Sequence, residues 1–513
     1  MQYTRKNVWD LGGNWADTIL WYARGVAAMK ARALAEPTAW RFYGAIHGID
    51  QPLWKQLGYL SATDKMPSSA LVARFWSQCQ HGSWYFLPWH RGYLIAFEAN
   101  IRAAVAKLGG PSDWALPYWN YFKTGENKLP PAFASPDWPD GKGNNPLYVV
   151  QRYGPKNDGN VYVPLNQVNL NAMSDPDFTG VASGGSPGYG GVDTGFSHGG
   201  AVHGGIETQP HDYVHGLVGG SQPKKPKLPG LMSDPDTAAL DPIFWLHHSN
   251  IDRLWQVWNQ NPATHVDPTD PNWLKGPANT GERKFSMPMP DGSSWDYVPA
   301  DMVDLKKLGY TYDDLSAAKA ALPSVVTRLE TLGASPAVAA AKKGAAVAGG
   351  KNVEMIGASK AAVPVVGSEA NATVQLDTGV RDKVSASLRA AAHEASPAPD
   401  RVFLNLEHVR GLDDSTAFSV YVGLPAGANP AAHPELMAGS VALFGARKAS
   451  QRDSEHAGQG LTFVLEITQI VDALHLKNAL DVASLDVRIV PVRPVEEDDQ
   501  VSIGRISIFR QGH

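Results

Sequence analysis

"IFWLHHSNIDRLWQVWNQ", residues 243–260, repeats its apolar side chains at helical spacing and sets two adjacent histidines, His247 and His248, in the middle. The period predicts an amphipathic helix. "ILWYARGVAAMKARAL" (19–34) and "HRGYLIAFEANIRAAVAKLGG" (90–110) show the same period. They predict a helical first part of the chain, whose helices are joined by long loops rich in glycine and proline, notably 179–205.

A second short stretch sharpens the question. "PHDYVHGLVGG" (210–220) puts His211 and His215 four residues apart. On a helix such positions share a face, with Cβ atoms about 5–6 Å apart, so both rings could reach one metal ion. Upstream, His47, His81 and His90 lie in "RFYGAIHGID", "QCQHGSWYF" and "LPWHRGYLIAFE". Two clusters, each with three imidazoles, point to metal. Structural zinc recruits thiolates and catalytic zinc often adds a carboxylate. In a zinc protease helix, H-E-x-x-H, a glutamate would stand where Asp212 does. All-imidazole sites suit copper, zinc, iron or nickel, and copper binds most tightly in the divalent series.

The rest of the chain has a different character. All 16 tryptophans lie between Trp9 and Trp295. Residues 332–375 are rich in alanine, lysine and valine and read as a linker, with a helix in part of it as the alternative. Beyond it "RVFLNLEHV" (401–409), "AFSVYVGL" (417–424), "GLTFVLEITQIV" (460–471), "LDVRIVPV" (485–492) and "RISIFRQ" (505–511) alternate with period two, predicting short antiparallel strands. The expected architecture is a mainly α domain over residues 1–331 with a helical core and long loops, then the linker, then an all-β, sandwich-like domain over 376–513.

The 513 residues carry a net charge of −5 and no lysine/arginine stripe, which argues against nucleic acid as a partner. No apolar run reaches membrane-spanning length, and the first residues lack a secretory apolar core, so a cytoplasmic location is expected. Cys79 is the single cysteine, so no intrachain disulfide is available.

These motifs resemble the tyrosinase/polyphenol oxidase family of binuclear (type 3) copper proteins, which also holds catechol oxidases and molluscan haemocyanins. The likeness spans roughly residues 40–312 and is closest to a bacterial tyrosinase with a C-terminal lid. It rests on "HGSWYFLPWHRGYLIAFE", on "PHDYVHGLVGG" with "DPIFWLHHSNIDRLWQVW", on "LPYWNY" (116–121) and on Tyr310 and Tyr312 in "LGYTYDDL". The resemblance implies two copper ions, with CuA held by His47, His81 and His90 and CuB by His211, His215 and His248. It leaves His247 behind the ligands and makes O2 the co-substrate of small phenols.

The resemblance also implies roles for nearby residues. Glu207 and Asp212 orient a water that serves as base, although many relatives carry asparagine at the Asp212 position. Gly216 leaves the mouth of CuB uncrowded, Pro235 falls near a gate above CuB, and Phe244 packs on a CuB imidazole. Cys79, two residues before His81, is placed for a thioether to that ring. His198 and His203 are expected to be loop residues with no role at the metal. The C-terminal domain is expected to cover the pocket and insert a side chain, keeping the enzyme latent. Alternatives are a catechol or o-aminophenol oxidase, an oxygen carrier and a dizinc hydrolase. A copper chaperone and a second copy of the chain stay open as partners.

Overall fold

The computed structural model describes residues 2–139, 141, 143–224, 227–261, 264–277, 284–316, 324–342, 352–393, 397–453 and 457–512. Helices Asp17–Lys30, Trp40–His47, Phe86–Lys107, Tyr213–Gly219 and Pro242–Trp258 form the core of the first domain. Pro242–Trp258 starts where the local chemistry dictates. The Asp241 carboxylate accepts from the Ile243 N–H, and Pro242, which has no N–H to satisfy, occupies the first helical position. The residues at the centre of this helix are buried on every side, so it runs through the core and not along its surface. It packs on Phe86–Lys107, with Trp245 stacked on Phe97 at 3.5 Å between ring centroids.

The two ends of this domain are pinned together. Strand Tyr3–Arg5 pairs in parallel with Tyr310–Tyr312. The fully buried Arg5 guanidinium meets Glu98 at 2.7 Å and Asp252 at 3.2 Å. Asp252 also accepts from Arg91 and from the hydroxyls of Tyr310 and Tyr312. Buried charges persist only when paired and hydrogen-bonded, and here each of the two helices supplies partners. The tyrosine pair thus closes the domain through one carboxylate.

The second domain is one continuous sheet. Its strands run in the order Met437–Ala442, Ala417–Val422, Ser484–Pro491, Ala370–Leu376, Asn352–Ser359, Ser502–Gly512, Arg401–Arg410, Leu461–Glu466, with Val363–Pro364 beside Ser502–Gly512. All neighbours are antiparallel. The sheet curls until its end strands meet: a Cβ on Gly439 would lie 2.9 Å from the Leu465 side chain. The β architecture agrees with the alternating pattern, and its two inner faces merge in a nearly closed sheet.

Three local expectations change. The stretch expected as a linker, 332–375, contains strands from Asn352 onward, and its residues 343–351 lie outside the described residues. Alanine, glycine and lysine hide the period there, because small side chains carry little amphipathic signal. The short helices Val325–Thr331 and Pro336–Lys342 pack on the β-domain, with Arg328 bonded to Asp472 at 2.7 Å, so the boundary expected at 331 falls inside a packed unit. Within 460–471 the strand ends at Glu466 and a helix, Thr468–Leu476, follows; a second helix, Thr378–Ala390, also covers the sheet. Among the described residues no helix is long and apolar enough to cross a membrane.

Candidate metal centre

The histidines of the site arrive on several structural supports. His47 ends helix Trp40–His47, His90 sits in the first turns of Phe86–Lys107, and His81 lies on the loop before it. His211 belongs to the wide turn Glu207–Asp212, which runs directly into Tyr213–Gly219 carrying His215. Wide turns of this kind recur at functional sites because they redirect side chains. The i, i+4 pair therefore meets across the junction, with ring centroids 4.5 Å apart. His247 and His248 lie in mid-helix.

The donor atoms of His47, Cys79, His81 and His90 form one buried group; those of His211, His215, His247 and His248 form another. The groups abut. The His90 and His248 rings stack at 4.4 Å and His81 lies 5.9 Å from His211. His47, His90 and His215 each present Nδ1 to a backbone carbonyl, of Pro235, Phe86 and Met232, at 2.7–2.8 Å. A carbonyl only accepts, so Nδ1 carries the proton and Nε2 turns a bare lone pair inward. His211 Nδ1 faces Asp212 Oδ1 at 2.8 Å.

Burial pushes the His47 imidazole down to about 4 and the His81, His90, His211, His215 and His248 rings well below the ordinary range, favouring neutral rings. His248 Nε2 lies 3.3 Å from Nε2 of both His211 and His215. His47 Nε2 is buried with no hydrogen-bond partner. Ring nitrogens gathered this closely suit a cation between them. The donor set therefore fits metal ions, one beside each group.

The surroundings extend the pattern. Glu207 is fully buried and accepts from the Gly82 N–H at 2.9 and 3.1 Å. Burial raises the carboxyls of Glu207 and Asp212, and His203, beside both, pulls them back. The carboxylates in turn overcome the effect of burial on His203 and lift it to about 9. His203 was expected to be a bystander in a glycine-rich loop; it is instead buried, with Nδ1 2.7 Å from Asp212 Oδ2. Nothing in "GGAVHGG" distinguishes it, since only the fold brings that loop over Asp212. His198 stays at the edge, its Nδ1 2.9 Å from the Cys79 carbonyl.

Phe244 packs edge-on to His47 at 5.0 Å and lies 4.2 Å from His248, so it contacts both groups. Pro235 serves the centre through its backbone carbonyl on His47, while its ring lies 3.6 Å from where a Cβ on Gly445 would stand. The space beside Gly216 is occupied: a Cβ there would meet Ala442 of the β-domain at 2.9 Å. Cys79 Sγ is 3.5 Å from both nitrogens of His81, which places it on the plane bisecting that ring through Cε1, and 3.3 Å from His90 Nε2.

The residue that the sequence left unassigned over the pocket is Phe444. It follows strand Met437–Ala442, a strand too rich in small residues to show alternation, and precedes Gly445, whose φ of +86° turns the chain back. Its ring lies 4.3 Å from His215, nearly parallel, and 5.7 Å from His81 and His211. Arg447, three residues on, reaches Asp234 at 2.6 Å and Asp50 at 3.3 Å in the helical domain.

Two abutting imidazole groups inside a helical core, capped by a β-domain, define a binuclear metalloprotein. Comparison with known proteins makes the class specific. The common central domain of tyrosinase matches residues 37–261, and a domain of unknown function matches 352–511. A tyrosinase of Hahella sp. (strain CCB-MM4) is 32% identical, covering 99% of each chain. A chloroplastic polyphenol oxidase of Malus domestica is 27% identical over 57% of this chain and 46% of its own length. The structure of latent apple tyrosinase superposes with a TM-score of 0.58 at 21% identity, over 99% of this chain and 97% of that one. A latent aurone synthase gives 0.56 at 18% identity, over 99% and 89%. The chain belongs to the tyrosinase family. It is a copper oxidoreductase with the dicopper centre of that family.

Proposed function

We propose that this enzyme is a tyrosinase that hydroxylates monophenols ortho to the hydroxyl and oxidises the resulting o-diphenols to o-quinones, and that its C-terminal domain keeps it latent. His47, His81 and His90 hold one copper ion in this proposal, and His211, His215 and His248 the other. When bound, the pair supplies the O2 chemistry: one oxygen atom goes to the ring, and two electrons leave the catechol.

The protein's own residues do the rest. The face of His215, where the Phe444 ring lies, is the stacking surface for an incoming phenol. Glu207 and Asp212 take the phenolic proton, directly or through a water, because a phenol with an unperturbed pKa of about 10 does not ionise by itself at neutral pH. The buried wall around His47, Phe244 and Phe86 excludes bulk water. The observation that carries the proposal is the buried Glu207–Asp212 pair directly beside His211.

Latency is supported by Phe444 lying where an aromatic substrate must stack, and by the description of two structural neighbours as latent. A Cys79–His81 thioether belongs to the same proposal and would fix the His81 ring. The test is to open the site by Phe444→Gly in the full chain and compare a simple monophenol with its catechol. Quinone formed from both supports a tyrosinase; turnover of the catechol alone leaves a catechol oxidase.

A further inference from the structure

The C-terminal domain touches the site at a second place, far along the chain from Phe444. The Leu461–Glu466 strand ends the hydrogen-bonded order of the sheet, so among the described residues one of its edges has no strand hydrogen-bonded along it. Unpaired edges recruit other extended segments. Here that segment is the glycine-rich loop of the helical domain: the Thr462 N–H donates to the Ala201 carbonyl at 2.7 Å, and Val202 pairs with Thr462 in parallel. Phe463 lies edge-on to the His203 ring, 6.3 Å between centroids.

The loop needs such support. Glycines 199, 200, 204 and 205 surround His203, and each adds backbone freedom that folding must remove. At its other side the loop is tied to the His81 segment, where the Gly200 N–H donates to the His81 carbonyl at 2.7 Å. His203 is thereby held between two anchors. Its Nδ1 grips one oxygen of Asp212 while His211 faces the other.

We propose that the β-domain both blocks and builds the site: Phe444 excludes substrate, and the 461–463 edge straps the loop so that His203 positions Asp212 for the incoming phenol. His203 is a positioning residue that acts through Asp212. The proposal rests on the role given above to Asp212 in monophenol hydroxylation. It predicts that taking away the plug and taking away the domain are different operations.

The test uses the full, copper-loaded chain carrying Phe444→Gly, with copper content and thermal unfolding as controls for folding. Thr462→Pro deletes the N–H that reaches Ala201, at an edge where proline is tolerated because that N–H faces off the sheet. His203→Leu removes the grip on Asp212, and His203→Asn restores a donor near the position of Nδ1. A small displacement of a positioned group costs about tenfold to a hundredfold in rate. Thr462→Pro and His203→Leu are therefore expected to lower monophenol kcat by that much, with catechol kcat within about twofold. His203→Asn is expected to recover most of the loss.

Hydrogen exchange over residues 200–205 gives a readout independent of substrate: slow in the parent, fast in Thr462→Pro. Equal losses on both substrates, failure of asparagine to rescue, or unchanged exchange would overturn the strap. A parent that oxidises catechol and leaves monophenol untouched would refute the monophenolase reading and the part of the proposal that depends on it. Exchange would then judge the strap by itself.

Discussion

Phe444 and His215 stack with ring centroids 4.3 Å apart and planes 27° apart, although the two residues belong to different domains. An aromatic ring on an imidazole face fills the place and makes the contact that a phenol would make. In the latency proposed above, Phe444 competes with substrate as a tethered ligand. A coupling of 1–3 kcal/mol between closed and open forms corresponds to about 5- to 150-fold, and Phe444→Gly in the full chain is expected to raise catechol turnover within that range. Oxygen uptake measures it; an unchanged rate in a copper-loaded variant would show that the ring does not limit access.

Ion pairs reinforce the packing of that ring. Arg447 spans Asp234 and Asp50 of the helical domain from only three residues beyond Phe444, and Lys448 reaches Asp236 at 3.5 Å. Arg447→Ala leaves the plug in place but loosens its base. The expected result is a several-fold rise in turnover and activation at a lower detergent concentration than the parent needs. If Phe444→Gly activates and Arg447→Ala does not, the clamp lies elsewhere on the interface.

A second interdomain contact gives the proposed closure a pH dependence of its own. Burial raises the Asp413 carboxyl, but Lys227, the Ser415 hydroxyl and Arg493 outweigh it and hold the group below the ordinary 3.8. Burial likewise opposes the charge on Lys227, yet Asp413 and Asp499 keep it above 10.5. A depressed carboxyl contributes docking that is full above its ordinary value and is lost as pH falls through the docked value. A raised lysine contributes below 10.5 and fades as pH rises through its docked value. Closure from this contact should hold from about pH 4 to about pH 10.5. In an immediate neutral assay, activation through this contact should therefore begin only after brief exposure below about pH 4, and exposure to about pH 5 should give none. Activation already complete at the milder pH would remove this contact as the control.

Cys79 offers a check on the CuA side. Burial raises its thiol well above the usual range, so the group is neutral, and its sulfur lies equally far from the two nitrogens of His81. Joining S to C removes the thiol hydrogen and one ring hydrogen, with the two electrons passing to O2 in the copper-loaded protein. Intact mass is expected to fall by two hydrogens after copper and air, and denatured protein should show no reactive thiol. A full equivalent of thiol would show that the bridge is absent.

Much of this was legible in the residues. The 243–260 helix declared itself through its apolar period, and the two histidine clusters were readable because metal chemistry fixes their spacing. Strands Leu461–Glu466 and Ser484–Pro491 alternate because one face is the more deeply buried. What escaped detection depends on contacts between segments distant in sequence. His203 sits in a loop without period, and Asp212 and Thr462 give it meaning only in three dimensions. Phe444 follows a strand of small residues, so neither its burial nor its target is encoded locally. Strands Asn352–Ser359 and Ala370–Leu376 were hidden because few of their residues are buried, so no strict apolar alternation marks them.

The most direct test of the whole is elemental analysis of folded, fully copper-loaded protein, parent beside His215→Ala and His47→Ala. Two abutting imidazole groups predict about two coppers per parent chain, falling toward one in either variant. One copper or fewer in the parent, or a preference for zinc under competition, would contradict the dicopper centre.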